Sequence, residues 1–184
     1  VIAGGIHITT ASSSVPKDAF DSLCIGFAEN TWPQIIEDMK HNGLQSEYVS
    51  KPLTSGNDIV APAYDMIDKT DYLWYNVVST SRSCPHTCDF CYNSSGTHQY
   101  INRNIDDVLA DIKSLGTKHI MFIDDNFIGN ISWTKQFLER IKPLKLNWNA
   151  AVTMKIGQYP ELMDLMKETG CQSLFIGFER DRKS

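Results

Sequence analysis

From residue 72 onward the chain alternates strand-like and helix-like runs, and this restricts the fold more than any other feature. Residues 72–79 (Y-L-W-Y-N-V-V-S) are aromatic and β-branched, suited to a strand. Asn104 is placed to cap a helix with Asp106 and Asp107 in its first turn. Ile105, Val108, Leu109, Ile112 and Leu115 share one face of that helix, and Gly116 ends it. A strand over 119–124 follows, then a helix over 132–142 with Trp133, Phe137, Leu138 and Ile141 inward and Pro143 just beyond. Residues 146–152 alternate as a strand, Pro160 opens a helix with Leu162, Leu165 and Met166 on one face, and 173–178 read as a fourth strand. Strands joined by helices imply right-handed crossovers and a parallel sheet. Such a sheet begins either a closed barrel or an open doubly wound fold.

Between the first of these strands and the first helix lies the densest chemistry. Residues 83–93 read S-C-P-H-T-C-D-F-C-Y-N, which places Cys84, Cys88 and Cys91 at the spacing C-x3-C-x2-C. Thiolates that close together suit a soft metal centre: an iron–sulfur cluster, zinc or cuprous copper. A 4Fe-4S cube takes four cysteine ligands as a rule, so three leave one iron open. A zinc site would need His86 or His98 as its fourth ligand, and neither completes the usual paired spacing. A disulfide framework is disfavoured by the odd count of 5 cysteines and by the absence of any secretion signal.

C-x3-C-x2-C with Phe90 before the last cysteine resembles the cluster motif of the radical S-adenosylmethionine (SAM) enzymes. The resemblance implies a 4Fe-4S cluster held by Cys84, Cys88 and Cys91, with SAM on the open iron and reductive cleavage of its sulfonium. It implies an α/β chain that forms part of a (β/α)6 radical SAM barrel, with Phe90 beside the adenine. Where many relatives carry a G-G-E segment for the SAM amino group, this chain has F-I-D-D-N-F. Asp124 or Asp125 could accept from the ammonium there; the competing reading is a helix cap or solvated turn. F-I-G-F-E resembles the segment near the SAM ribose, which makes Glu179 a candidate for the sugar hydroxyls, although Arg180 follows where a small polar residue is usual. A small-molecule substrate and a flavodoxin- or ferredoxin-type electron donor are implied as partners.

The first residues carry a second resemblance. Val1-Ile2-Ala3 reads as a short strand, Gly4-Gly5 as a tight turn, D-S-L-C-I-G as another apolar run, and residues 31–40 as a helix capped by Thr31, with Ile35, Ile36 and Met39 inward. G-G-I-H-I-T followed by D-S-L-C-I-G-F-A-E-N-T-W is similar to the end of a Rossmann-like cobalamin-binding domain, which would set Gly4 and Gly5 against the cofactor's nucleotide tail. The plain alternative is a turn with no ligand. Cobalamin would make methylation of an unreactive carbon the expected reaction. The organisation expected is therefore 1–45 as the C-terminal part of a cobalamin-binding-type α/β domain, 46–70 as a linker with a helical turn or two over 63–69, and 71–184 as the N-terminal part of the barrel.

Composition is ordinary for a globular chain at 42% hydrophobic, and the net charge of −5 argues against a nucleic-acid partner. That weighs against a tRNA methylthiotransferase, the alternative enzyme; a zinc-binding module without activity is the alternative outside enzymes. No apolar run is long enough to span a bilayer, and a reducing cytoplasm is the expected location. Cys24 and Cys171 read as inert core thiols, and Arg103 as a solvated charge in preference to one that steers an anionic ligand. The chain begins without Met and stops beside a strand, so an internal fragment of a longer enzyme is expected.

Overall fold

The computed structural model describes residues 1–16, 18–94 and 99–178, and the chain divides into two compact units. The first comprises residues 1–60 and 86–99. Its elements are β1 (Ile2–Ala3), α1 (Ile6–Ala11), β2 (Ser22–Ile25), α2 (Trp32–Lys40) and β3 (Glu47–Val49), and the strands form a parallel sheet in the order β1-β2-β3. Both α1 and β3 escaped the sequence reading. The I-H-I-T-T-A run of α1 is β-branched and reads as anything but helix. Strand β3 is three residues long and owes its existence to pairing with β2.

Gly5 stands at φ 90, a left-handed conformation that favours glycine, and it leads directly into α1. The helix over 31–40 is present, but its expected details change. Thr31 makes no side-chain cap; its hydroxyl lies 3.3 Å from the Cys24 sulfur. Of the expected inward face only Ile35 is fully buried, and Met39 is exposed. The core of this unit is small: Cys24, Ile35 and Tyr48, with Ile2 and Leu44 against them.

The second unit comprises residues 61–85 and 100–184. In chain order it holds β4 (Val77–Val78), β5 (Ser81–Arg82), β6 (Ile101–Asn102), α3 (Ile105–Leu115), β7 (His119–Phe122), α4 (Ile131–Ile141), β8 (Asn147–Thr153), α5 (Pro160–Glu168) and β9 (Cys171–Gly177). Strands β4, β7, β8 and β9 form a parallel sheet in that order. The strand expected over 72–79 shrinks to β4, because Tyr72, Leu73 and Trp74 lie outside the paired register and stay exposed. The residues read as helical turns over 63–69 form 3-10 turns at Tyr64–Met66 and Lys69–Asp71.

Burial alternates strictly along β7 and β8. Ile120, Phe122, Trp148, Ala150 and Val152 face inward and pack in one cluster with the apolar sides of α3, α4 and α5. One cluster for three helices means the helices cover a single face of the sheet. At its centre Phe122 packs on Phe127, Phe137 and Trp148 with ring centroids 5.0, 5.5 and 5.6 Å apart. The capping expected of α3 is present: Asn104 accepts from the Asp106 amide at 2.8 Å, and Gly116 closes the helix at φ 64. Among the described residues no helix is long and apolar enough to cross a membrane.

Candidate functional site

In a parallel sheet the chain emerges from the C-terminal ends of the strands, and there the second unit ties a polar knot. Thr80 and Ser81 follow β4, and Asp124 follows its neighbour β7. The Asp124 carboxylate is 4% exposed. It accepts from the Thr80 amide at 3.0 Å, the Thr80 hydroxyl at 3.0 Å and the Ser81 hydroxyl at 2.5 Å. Burial pushes its pKa above the usual carboxylate range, and the bonds from Ser81 and Thr80 pull it partly back.

Arg103 completes the knot from the other side, which corrects its reading as a solvated charge. It is 3% exposed, and its Nη1 donates to Asp111 of α3 at 2.7 Å and to the Ser79 carbonyl at 2.9 Å. Its amide donates to the Thr80 carbonyl at 2.9 Å, while the Trp133 indole donates to its carbonyl at 3.0 Å. The charge can be buried because Asp111 is buried with it.

The knot holds the base of the cysteine-bearing loop. Strands β5 and β6 pair antiparallel, Ser81 with Asn102 and Arg82 with Ile101, so the chain leaves the sheet region and returns to it at one point. Cys84 lies two residues past β5, after Ser83 at φ 61. Tyr100 stands at the returning end. Its hydroxyl accepts from Asn102 Nδ2 at 3.0 Å, and a Cβ on Gly129 would fall 2.7 Å from that hydroxyl and 3.0 Å from Pro85 Cδ. Burial raises the phenol's pKa most, with the charges of Asp124 and Cys84 adding to it and hydrogen bonds from Asn102 and Ser81 opposing.

Cys88 and Cys91 belong to the first unit. The Cys88 carbonyl accepts from the Cys91 amide at 3.0 Å and the Ser94 hydroxyl at 2.7 Å, and a 3-10 turn over Tyr92–Ser94 follows. All three motif cysteines are partly exposed and none is in a disulfide, so the donor set suits a soft metal centre. Among the described residues no group of three His, Cys, Asp or Glu stands close enough to hold a metal ion.

Phe90 is 67% exposed, and Asp125 is exposed where its neighbour Asp124 is buried. Glu179 and Arg180 lie outside the described residues. Gly4 and Gly5 follow β1 at the C-terminal edge of the first unit's sheet, where a Cβ on Gly4 would sit 3.5 Å from the Cys24 carbonyl. Cys24 is buried and Cys171 half-buried, with burial pushing the Cys171 thiol up to about 11. Thr80, Ser81, Tyr100, Arg103, Asp111 and Gly129 have no sequence signature; only pairing across the sheet brings them together.

The fold and the motif converge on a family. Residues 78–181, more than half of the chain, match the model of the Radical SAM superfamily, and the chain belongs to it. Membership carries a 4Fe-4S cluster and SAM as the family's cofactors. Similar proteins include bacteriochlorophyllide d C-12(1)-methyltransferase of Chlorobaculum tepidum, 26% identical over 97% of this chain and 41% of that protein. Another is hopanoid C-2 methylase of Rhodopseudomonas palustris, 23% identical over 97% of this chain and 36% of that protein. The chain thus spans about two fifths of the length of these curated relatives. The structure is similar to the radical SAM methyltransferase TsrM of Kitasatospora setae, solved with cobalamin and a 4Fe-4S cluster bound, at a TM-score of 0.50 and 20% identity over 58% of this chain and 23% of that one.

Proposed function

We propose that this protein is a cobalamin-dependent radical SAM methyltransferase acting on an unreactive carbon of a small molecule. The observation that carries the reading is the C-x3-C-x2-C loop sprung from the C-terminal end of a parallel sheet whose helices cover one face only. A sheet covered on one face is what a (β/α)6 barrel has, its other face lining the interior, whereas a doubly wound sheet is covered on both. The chain is accordingly read as part of such a barrel over 71–184, joined by a linker over 46–70 to the end of a Rossmann-like cobalamin-binding-type domain over 1–45. The methyltransferase names of the relatives support the reaction, and the cobalamin in TsrM supports the second cofactor.

When bound, the cluster and SAM supply a one-electron cleavage of the sulfonium, and cobalamin supplies a methyl carrier. The chain's own residues bind and orient. Cys84, Cys88 and Cys91 are the thiolate ligands, and Phe90, already exposed, offers a face to the adenine. Of the two acids, Asp125 is the better partner for the SAM ammonium, since it is exposed whereas Asp124 is buried and already accepts from the Thr80 amide and from the hydroxyls of Thr80 and Ser81. Asp124 then acts by fixing the loop base. Glu179 is assigned to the ribose hydroxyls, and Gly4 with Gly5 to the nucleotide tail of cobalamin. A flavodoxin- or ferredoxin-type donor in the cytoplasm would deliver the electron.

The test is anaerobic reconstitution with iron and sulfide, then dithionite and SAM, with 5′-deoxyadenosine and methylated product assayed. The expected result is an iron–sulfur chromophore and product formation, both lost in Cys88→Ala. Stoichiometric zinc in place of an iron–sulfur chromophore would overturn the proposal.

A further inference from the structure

Gln99 has no part in the reading above, yet it does what a neighbouring strand would do. Its side-chain Oε1 accepts from the Leu53 amide at 2.8 Å, and its Nε2 donates to the Leu53 carbonyl. Leu53 is 3% exposed, so both of its backbone groups need partners inside the protein, and one side chain supplies them. A side-chain amide can do this because it offers acceptor and donor side by side, as a peptide group does. The two residues are 46 apart in sequence. Leu53 lies on the strap that follows β3, Gln99 ends the loop that carries Cys88 and Cys91, and both belong to the first unit.

The Leu53 end of this clasp is itself anchored. Two residues earlier, the Lys51 carbonyl accepts from Asn30 Nδ2 and from the Ser50 hydroxyl, each at 2.9 Å. The Ser50 amide donates to the Ile25 carbonyl at 2.8 Å, at the C-terminal end of β2. Hydrogen bonds therefore lead from the first unit's sheet to the strap, and Gln99 carries them on to the cysteine loop. We propose that Gln99 is a positioning residue for the cluster: its amide clasps the loop that carries Cys88 and Cys91 to the strap at Leu53. This rests on the function proposed above, which makes those thiols cluster ligands. Within the loop the Cys91 amide donates to the Cys88 carbonyl and the Ser94 amide to the Cys91 carbonyl, each at 3.0 Å, so its own bonds are short-range turns. Fixing the far end of such a loop removes conformations that would otherwise be lost when the thiols gather on a metal.

The experiment compares amide hydrogen exchange in wild type, Gln99→Met and Gln99→Glu, all metal-free, and then iron loss to a chelator after cluster reconstitution. Methionine keeps the length of the side chain and removes both hydrogen bonds. The Leu53, Cys91 and Ser94 amides should exchange roughly tenfold faster in Gln99→Met, the scale of one or two lost hydrogen bonds, while those of α3, α4 and α5 stay as they are. In Gln99→Glu an ionised carboxylate can accept from the Leu53 amide but repels the carbonyl, whereas the protonated acid serves both. Its protection, corrected for intrinsic rates, should therefore return as pH falls toward about 4, a recovery that methionine cannot show. Iron should leave the reconstituted Gln99→Met protein faster than wild type. A change confined to Leu53, or none at all, overturns the inference, because the clasp would then serve the strap alone. Faster exchange with unchanged iron loss also overturns it. If Gln99→Met does not fold, the pH dependence of Gln99→Glu decides: loop protection that does not follow the carboxyl's protonation sinks the clasp. A wild-type protein that takes up no iron–sulfur cluster defeats the proposed function itself, and this inference with it; a wild-type cluster indifferent to Gln99 defeats this inference alone.

Discussion

Asp124 shows how much a single side chain can do when burial and hydrogen bonding compete over it. Desolvation raises its pKa, so between the ordinary carboxylate value of about 4 and the raised value the folded chain holds a proton that the unfolded chain has released. Its contribution to stability is therefore full below about pH 4 and is lost as pH rises through the folded pKa. Asp124→Asn should remove that part of the pH dependence, seen as a flatter difference between the two proteins in urea unfolding across pH. It should also cost about 1–3 kcal/mol throughout, because an amide NH2 would face donors that now bond a carboxylate. Gly170 gives a sharper expectation. It stands at φ 94, and a Cβ there would lie 1.8 Å from the Leu146 carbonyl oxygen. Gly170→Ala therefore combines backbone strain with a clash against backbone, on the order of 3 kcal/mol or more, and should lower the urea midpoint accordingly.

At the scale of elements, α3 is tied to the cysteine loop by one buried ion pair. Arg103 holds Asp111 with one hand and the carbonyls of Ser79 and Thr80 with the other parts of its frame. Asp111→Ala would leave the guanidinium charge buried alone, at about 3–5 kcal/mol, while Arg103→Met with Asp111→Leu should recover much of that loss. Thermal melts would show the recovery. Iron content would not recover in the double variant, because methionine cannot replace the bond to Ser79. Equal iron in the double variant and wild type would refute the anchoring role. Helices α3, α4 and α5 were legible in the sequence, because periodic apolar faces and their bounding residues Asn104, Gly116, Pro143 and Pro160 act locally. What escaped depends on distant partners. Strand propensity at Tyr72, Leu73 and Trp74 finds nothing to pair with, and β5 and β6 are two-residue strands that exist only through each other. The cysteine motif was readable because its spacing is local; Arg103 was misread because its counter-charge is not in sequence reach of a solvated pattern.

For the molecule as a whole, the uncovered face of the second unit's sheet has consequences. Met121 and Ile123 are exposed there, and Phe175 on β9 is 78% exposed opposite Ala151 of β8. Apolar side chains on an open sheet face, beside a strand whose outer edge has no partner among the described residues, form a surface that invites association. The chain spanning residues 1–184 should accordingly self-associate with rising concentration in sedimentation velocity runs. Phe175→Lys should shift it toward monomer and leave its urea midpoint nearly unchanged, within about 0.5 kcal/mol, since an exposed side chain contributes little to the fold. A wild-type chain that stays monomeric at high concentration would contradict this. In a longer protein whose further strands cover that face, the same lysine would bury an unpaired charge and destabilise the fold. The size of the Phe175→Lys effect on stability thus reports whether the face is the interior of a closed barrel or an open surface.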